Sequence, residues 1–190
     1  MKYEVLLPEH HNVDSWSGGK TRELYIAGGA ADYAARDFTL RLSSATVAVK
    51  NSTFTPLPGF KRALMVLDGT VRLAHDDKRP VTLSPFQVNV FDGGSATESW
   101  GCCQDFNVMW AKDAPLDIEL EATAAYPCRY NGADEDFYYA YRGDFLLYTK
   151  YGEINLTEGS LIHLKKPGCT HIRQITHEPV QLVHVVVQHR

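Results

Sequence analysis

The chain has 190 residues, with 19 Lys and Arg against 23 Asp and Glu, a formal net charge of −4 and a pI near 6.0. That length buries a sizeable core without metals or disulfides to staple it, as one large domain or two fused lobes. The basic residues are scattered singly, which excludes a nucleic-acid surface, and no apolar run reaches the length of a membrane span. "MKYEVLLPEHH" turns polar after seven residues, unlike an export signal, so a soluble, cytoplasmic protein is expected.

The first distinctive stretch is "WSGGKTREL", residues 16–24. A phosphate-cradling loop needs its glycines to open a helix and a further glycine four residues before the Gly-Lys pair. Here "TRELYIAG" follows, an extended run of strand formers, and only residues 30–36 have room for a helical turn or two. A phosphate loop is rejected.

From there the chain alternates with a period of two. "FTLRLSSATVAV" (38–49), "ALMVLDGTVRLAH" (63–75), "VTLSPFQVNVF" (81–91), "DFNVMWA" (105–111), "DIELEA" (117–122), "FYYAYRGDFLLYT" (137–149), "GEINLTEGSLIHL" (152–164) and "VQLVHVVVQH" (180–189) have the branched and aromatic content of strands. Asp68-Gly69, Gly143-Asp144 and Glu158-Gly159 punctuate them as hairpin turns. Many short strands at regular spacing predict an all-β sandwich or barrel.

"ALMVLDGTVRLAHDDKRPVTLSPFQVNVF" and "FYYAYRGDFLLYTKYGEINLTEGSLIHL" repeat one strand-and-turn order. The echo predicts two similar lobes, 1–112 and 113–190, joined through the proline-bearing stretch 112–131. "VLDG" at 66–69 and "LTEG" at 156–159 resemble the turn motifs of the cupin superfamily. That resemblance implies an all-β, cupin-like (RmlC-like jelly roll) double β-barrel.

Enzymatic cupins hold a metal with histidines and a glutamate before the first turn, where several imidazole and carboxylate groups converge on a divalent ion. "FTPLPGFKRALMVLDG" has no histidine and no acid before Asp68, and "NGADEDFYYAYRG" lacks the histidine pair. No cofactor is therefore expected. His163, His171, His177 and His184 remain as possible ligands of the second lobe, in a metal-dependent enzyme reading that competes with histidines hydrogen-bonded in or beside the core. The four cysteines, Cys102, Cys103, Cys128 and Cys169, form no C-x-x-C pair and are expected to be reduced thiols.

In the first lobe the unusual strand residues are Arg22, Arg41 and Arg62. Alternation puts Arg41 on one face with Ser43, Arg62 with Leu64 and Val66, and Asp105 with Asn107. A guanidinium in such a place snorkels to water, pairs with an acid, or offers its planar fork to a bound carboxylate or phosphate. Spacing alone leaves all three open. A vestigial pocket, filled by aromatics and with its arginines neutralised by Glu23, Glu98 or Asp105, is a further alternative.

The succession "WSGGKTREL", "FTLRLSSATV", "FTPLPGFKRALMVLDG" and "DFNVM" resembles the HutD/Ves family of cupin-like, bicupin-type proteins across residues 16–109. The likeness is to a tryptophan before a glycine-rich "TRE" segment, an "RLS-x-A" strand, a "PG-x-x-R" turn and a "DFN-x-M" strand. Ser17 and Lys20 depart from the family's "NGGGTTRE", and Lys61 stands where an acid is common. The extra cations favour a more anionic ligand. The resemblance implies a small-molecule binding protein rather than an enzyme, taking a small carboxylate such as N-formylglutamate in a regulatory role linked to histidine utilisation or stress. It implies ligand contacts from Trp16, Thr21, Arg22, Arg41, Ser43, Arg62, Asp105 and Asn107. The partners expected are a small anionic metabolite and a second copy of the chain, docked through the apolar "VQLVHVVVQ" strand.

Overall fold

In the computed structural model, residues 2–76, 78–123, 129–130, 133–176, 179 and 181–190 are described. The first strands are β1 (Tyr3–Leu6), then a 3-10 turn (Pro8–His10), β2 (Asn12–Trp16), β3 (Gly19–Ala27), β4 (Leu40–Val47) and β5 (Asn51–Thr53). Next come β6 (Phe60–Gly69), β7 (Val71–His75), β8 (Val81–Leu83), β9 (Val88–Asp92), β10 (Thr97–Trp100) and β11 (Cys103–Ala111). The remainder are β12 (Leu116–Thr123), β13 (Arg129–Tyr130), β14 (Glu135–Arg142), β15 (Phe145–Thr149), β16 (Gly152–Leu156), β17 (Leu161–Lys165), β18 (Cys169–Gln174) and β19 (Gln181–His189). No α-helix occurs among the described residues, and residues 30–36 form turns instead of the expected helical turn. Among the described residues no helix is long and apolar enough to cross a membrane.

The chain divides into two compact units, His11–Ala114 and Met1–His10 with Pro115–Arg190. The expected boundary at 112/113 differs little, but the expected first lobe wrongly included the first ten residues. β1 pairs with β17, Tyr3 opposite Leu164, so this strand completes a sheet of the later unit. A terminal strand goes to whichever sheet has an unpaired edge of matching register, and no local pattern records that.

The His11–Ala114 unit has a six-stranded sheet in the order β2-β3-β4-β11-β6-β9 and a four-stranded sheet in the order β5-β10-β7-β8. Leu64 and Val66 of β6 and Val47 of β4 meet Val71 and Leu73 of β7 and Leu83 of β8 in one apolar cluster between the sheets. These are the alternate, inward positions that period two requires.

The other unit repeats the scheme with β1-β17-β14-β19-β12 and β13-β18-β15-β16. Tyr138, Ala140, Ile162, Leu164 and Leu182 pack there against Phe145, Leu147, Ile154, Leu156 and Ile172. Between β16 and β17 the chain crosses from one sheet to the other, so Glu158-Gly159 is not the expected hairpin turn. Gly159 takes φ +80° there, a region that side chains disfavour, and a Cβ would lie 3.1 Å from Pro8. β19 lies between β14 and β12 in this sheet. Leu182 to Val187 are buried, so "VQLVHVVVQ" offers no free edge for the expected docking of a second copy. Its apolar run reflects burial on both faces.

Cys169 is disulfide-bonded, which corrects the expectation of four reduced thiols, while Cys102 and Cys103 are free and Cys128 lies outside the described residues. Spacing along the chain cannot report which thiols meet in space.

Candidate functional site

The glycines of "WSGGKTREL" serve a hairpin. Trp16 pairs with Gly19 across the turn joining β2 and β3. A Cβ on Gly19 would sit 1.8 Å from the Thr46 carbonyl oxygen of β4, so only glycine lets the strands close here. A Cβ on Gly18 would run into the Trp16 ring, 2.0 Å away, and the bare backbone lets that ring fold over the turn.

Beyond the hairpin, register builds a site on the middle of the large sheet. Arg41 of β4 and Arg62 of β6 both pair with Met109 of β11, so the two arginines flank it in one cross-strand row. The next row on this face is Ser43, Asn107, Leu64, and the one after it is Ala45, Asp105, Val66. Two strand spacings separate the arginine backbones by roughly 10 Å. The row opens onto a cavity of about 300 Å³ lined also by Trp16, Thr21, Tyr33 and Phe54.

Of the eight residues expected at a ligand site, seven (Trp16, Thr21, Arg41, Ser43, Arg62, Asp105 and Asn107) line this cavity. Arg22 does not. It is adjacent to Thr21 on one strand, where neighbouring side chains point to opposite faces.

Arg41 is 3 % exposed and Arg62 7 %. Arg41 Nε donates to Glu23 Oε2 at 2.7 Å, and its Nη1 donates to Ser43 Oγ at 3.1 Å. The Tyr33 ring covers that guanidinium, with Cζ 4.1 Å from the ring centroid. Arg62 lies against Phe54 and Phe91 at 4.7 and 5.4 Å. Its polar contacts are longer, Nε and Nη2 donating to Asn107 Oδ1 at 3.4 and 3.3 Å. Arg41 Nη2 and Arg62 Nη1 have no protein acceptor among the described residues.

Asn107 also donates from Nδ2 to Asp105 Oδ1 at 3.2 Å, so one amide bridges the acid and the guanidinium. Burial raises Asp105 to about 6, against the Asn107 hydrogen bond, the Arg62 charge and the Ala45 backbone, which lower it. Burial also lowers Arg62, with the charges of Tyr33 and Asp105 acting the other way and Arg41 adding to the decrease. The site can therefore present cationic, aromatic-backed N–H edges to an anion. The vestigial alternative is met in part, since Glu23 does pair with Arg41, but Glu98 pairs its strand with β5 and β7 and is not in the lining.

Tyr33 and Phe54 were not foreseen. Both come from connecting segments, and "DY" and "TF" carry no periodic signal; an aromatic between turn residues beside an arginine-bearing strand was the only hint.

In the other unit, His184 Nε2 pairs with Asp136 Oδ1 at 3.1 Å and its Nδ1 with Glu121 Oε1 at 3.0 Å. Tyr138 stacks on the imidazole at 4.3 Å and donates to Asp136 Oδ2 at 3.3 Å. His163 pairs with Glu135, which also accepts from His189 at 3.0 Å. The His163 hydrogen bond lowers Glu135 to about 2, against burial. His171 is exposed beside Tyr148, and His177 lies outside the described residues. Among the described residues no three His, Cys, Asp or Glu side chains are grouped to hold a metal ion.

Comparison with known proteins agrees with this architecture. A conserved protein of unknown function from Pseudomonas aeruginosa PAO1 is 23 % identical, covers 99 % of this chain and 100 % of its own, and superposes with a TM-score of 0.84. HutD from Pseudomonas fluorescens SBW25, determined in a formate condition, is 17 % identical over 99 % of both chains with a TM-score of 0.80. A point mutant of the Bacillus subtilis oxalate decarboxylase OxdC is 7 % identical, covers 100 % of this chain and 78 % of its own, and gives 0.72. The fold is cupin-like. No curated protein matches the sequence significantly. The HutD family model matches residues 9–182, and the chain belongs to the HutD family.

Proposed function

We propose that the protein binds a small carboxylate in the cavity of its His11–Ala114 unit and that its role is regulatory, in histidine utilisation. The observation that carries this reading is Arg62, a buried guanidinium whose polar contacts among the described residues are long ones to an amide oxygen, with Nη1 lacking a protein acceptor there beside a cavity of about 300 Å³. Burying a cation is unfavourable unless a partner compensates, and a bound carboxylate is the partner whose planar geometry fits the fork. Arg41 Nη2 adds a second donor in the same cross-strand row. Family membership supports an intermediate of histidine breakdown, N-formylglutamate among them, as the carboxylate.

Calorimetric titration with N-formylglutamate, glutamate, urocanate and formate tests the reading. Saturable heat with at least one of them is expected, weakened in Arg62→Ala. The Arg41–Glu23 ion pair and the aromatic covers favour a vestigial pocket as the second reading, which requires flat titrations with all four at millimolar concentration.

A further inference from the structure

We infer that carboxylate binding in this cavity takes up a proton, and that Asp105 is the group that receives it. The inference rests on the carboxylate-binding reading and adds how that site is controlled.

The charges facing the cavity lead to it. Glu23 on β3 neutralises Arg41 on β4 through a contact of 2.7 Å. That leaves Arg62 on β6 and Asp105 on β11 as the buried pair of opposite sign. They do not touch: the Asn107 amide stands between them, donating to Asp105 and accepting from Arg62. Tyr33, from the β3–β4 connection, and Asp14, on β2, are the other titratable groups of the lining. Cys103 precedes Asp105 on the same strand, and its buried thiol is pushed up to about 12, so it remains neutral.

With Asp105 ionised, the buried charges of the empty cavity sum to zero. A carboxylate arriving at the free N–H edges of Arg62 and Arg41 would leave two anions sharing the single uncompensated cation, among side chains that are themselves buried. Two carboxylates in one low-dielectric site do not both stay ionised; one of them is protonated. Asp105 is that one. It is 3 % exposed, has no cation within salt-bridge distance among the described residues, and burial already raises it to about 6. Once protonated, it changes from an acceptor into a donor and can hold the ligand's carboxylate by O–H···O. The site then responds to pH as well as to metabolite concentration.

The test uses formate, which stays ionised from mildly acidic to mildly alkaline pH, titrated calorimetrically into the intact chain in buffers of different ionisation enthalpy. Affinity is expected to fall at least thirtyfold from about pH 5.5 to about pH 8, approaching tenfold per unit above about pH 6, with close to one proton taken up per formate at the upper end. Asp105→Asn, a permanently neutral isostere, is expected to bind formate at about pH 8 as tightly as the unaltered chain does at about pH 5.5, without pH dependence. Formate binding of equal strength at every pH with no proton uptake would overturn the inference and leave carboxylate binding standing. Loss of affinity with pH that persists in Asp105→Asn overturns the assignment to Asp105. No formate binding at any pH, in a chain that also ignores the other three carboxylates, removes both readings. Should Asp105→Asn fail to melt cooperatively, the pH series and proton count of the unaltered chain decide the matter alone.

Discussion

Each unit carries charged residues inside a cupin-like pair of sheets, and the two treat them differently. In the later unit, His184 is enclosed by Asp136, Glu121 and Tyr138, with both ring nitrogens facing carboxylate oxygens. In the His11–Ala114 unit, Arg62 meets an amide at the edge of hydrogen-bond range and Arg41 keeps one nitrogen without an acceptor among the described residues. A buried charge matched within the protein supports the fold, whereas one left undermatched beside a cavity is matched by a ligand. The contrast directs the stability experiments to one unit and the binding experiments to the other.

The largest effect is expected at Asp136. Asp136→Ala leaves His184 without its buried carboxylate and should destabilise the protein by about 3 to 5 kcal/mol in denaturant unfolding. Burial alone would lower His184, but the hydrogen bonds it donates to Asp136 and Glu121 outweigh it and raise the group. Its contribution is thus fully present below the unfolded value of about 6.5 and is lost as pH rises through the higher folded value. A pH-independent stability difference between the two proteins would show that His184 is not charged there.

Arg62→Ala should weaken carboxylate binding by about 2 to 4 kcal/mol, or roughly thirtyfold to several hundredfold. Arg62→Lys should recover only part, because an ammonium lacks the planar pair of donors. Arg79→Ala, at an exposed loop, is the control. Equal, small effects at the two positions would erase the contrast between the units.

Asp105→Asn sharpens it from the stability side. The folded value near 6 exceeds the ordinary 3.8, so the native state binds more protons than the unfolded chain between the two, and stability falls as pH rises across that window. Removing the acid should stabilise the protein by on the order of 3 kcal/mol at about pH 8 and by much less below about pH 4, read as a shift in unfolding midpoint. Tyr33→Ala removes the ring over Arg41 and should reduce carboxylate affinity by roughly 0.5 to 2 kcal/mol. Arg22→Ala, outside the cavity, should change both affinity and stability by less than about 0.5 kcal/mol.

Period-two alternation and turn dipeptides made the strands legible, because the side-chain period of a strand is local geometry. The same alternation, read strictly, separates Thr21 from Arg22; the family resemblance had grouped them, and the backbone kept them apart. Legible too were the pairs Arg41 with Ser43 and Asp105 with Asn107, each two residues apart on one strand. Sequence by itself thus determined the all-β fold, the family and seven of the residues that line the cavity. Tertiary structure alone decided that Arg41 and Arg62 flank Met109 in one row, that Asn107 stands between Arg62 and Asp105, and that Tyr33 and Phe54 cover the guanidinium planes. It also placed β1 in the later unit, enclosed β19 between two strands and put Cys169 in a disulfide. Each of these depends on register between strands distant in the chain or on how a connecting segment folds back. Such contacts are selected by the total burial and hydrogen bonding of the assembled sheets, a quantity no local window of residues contains.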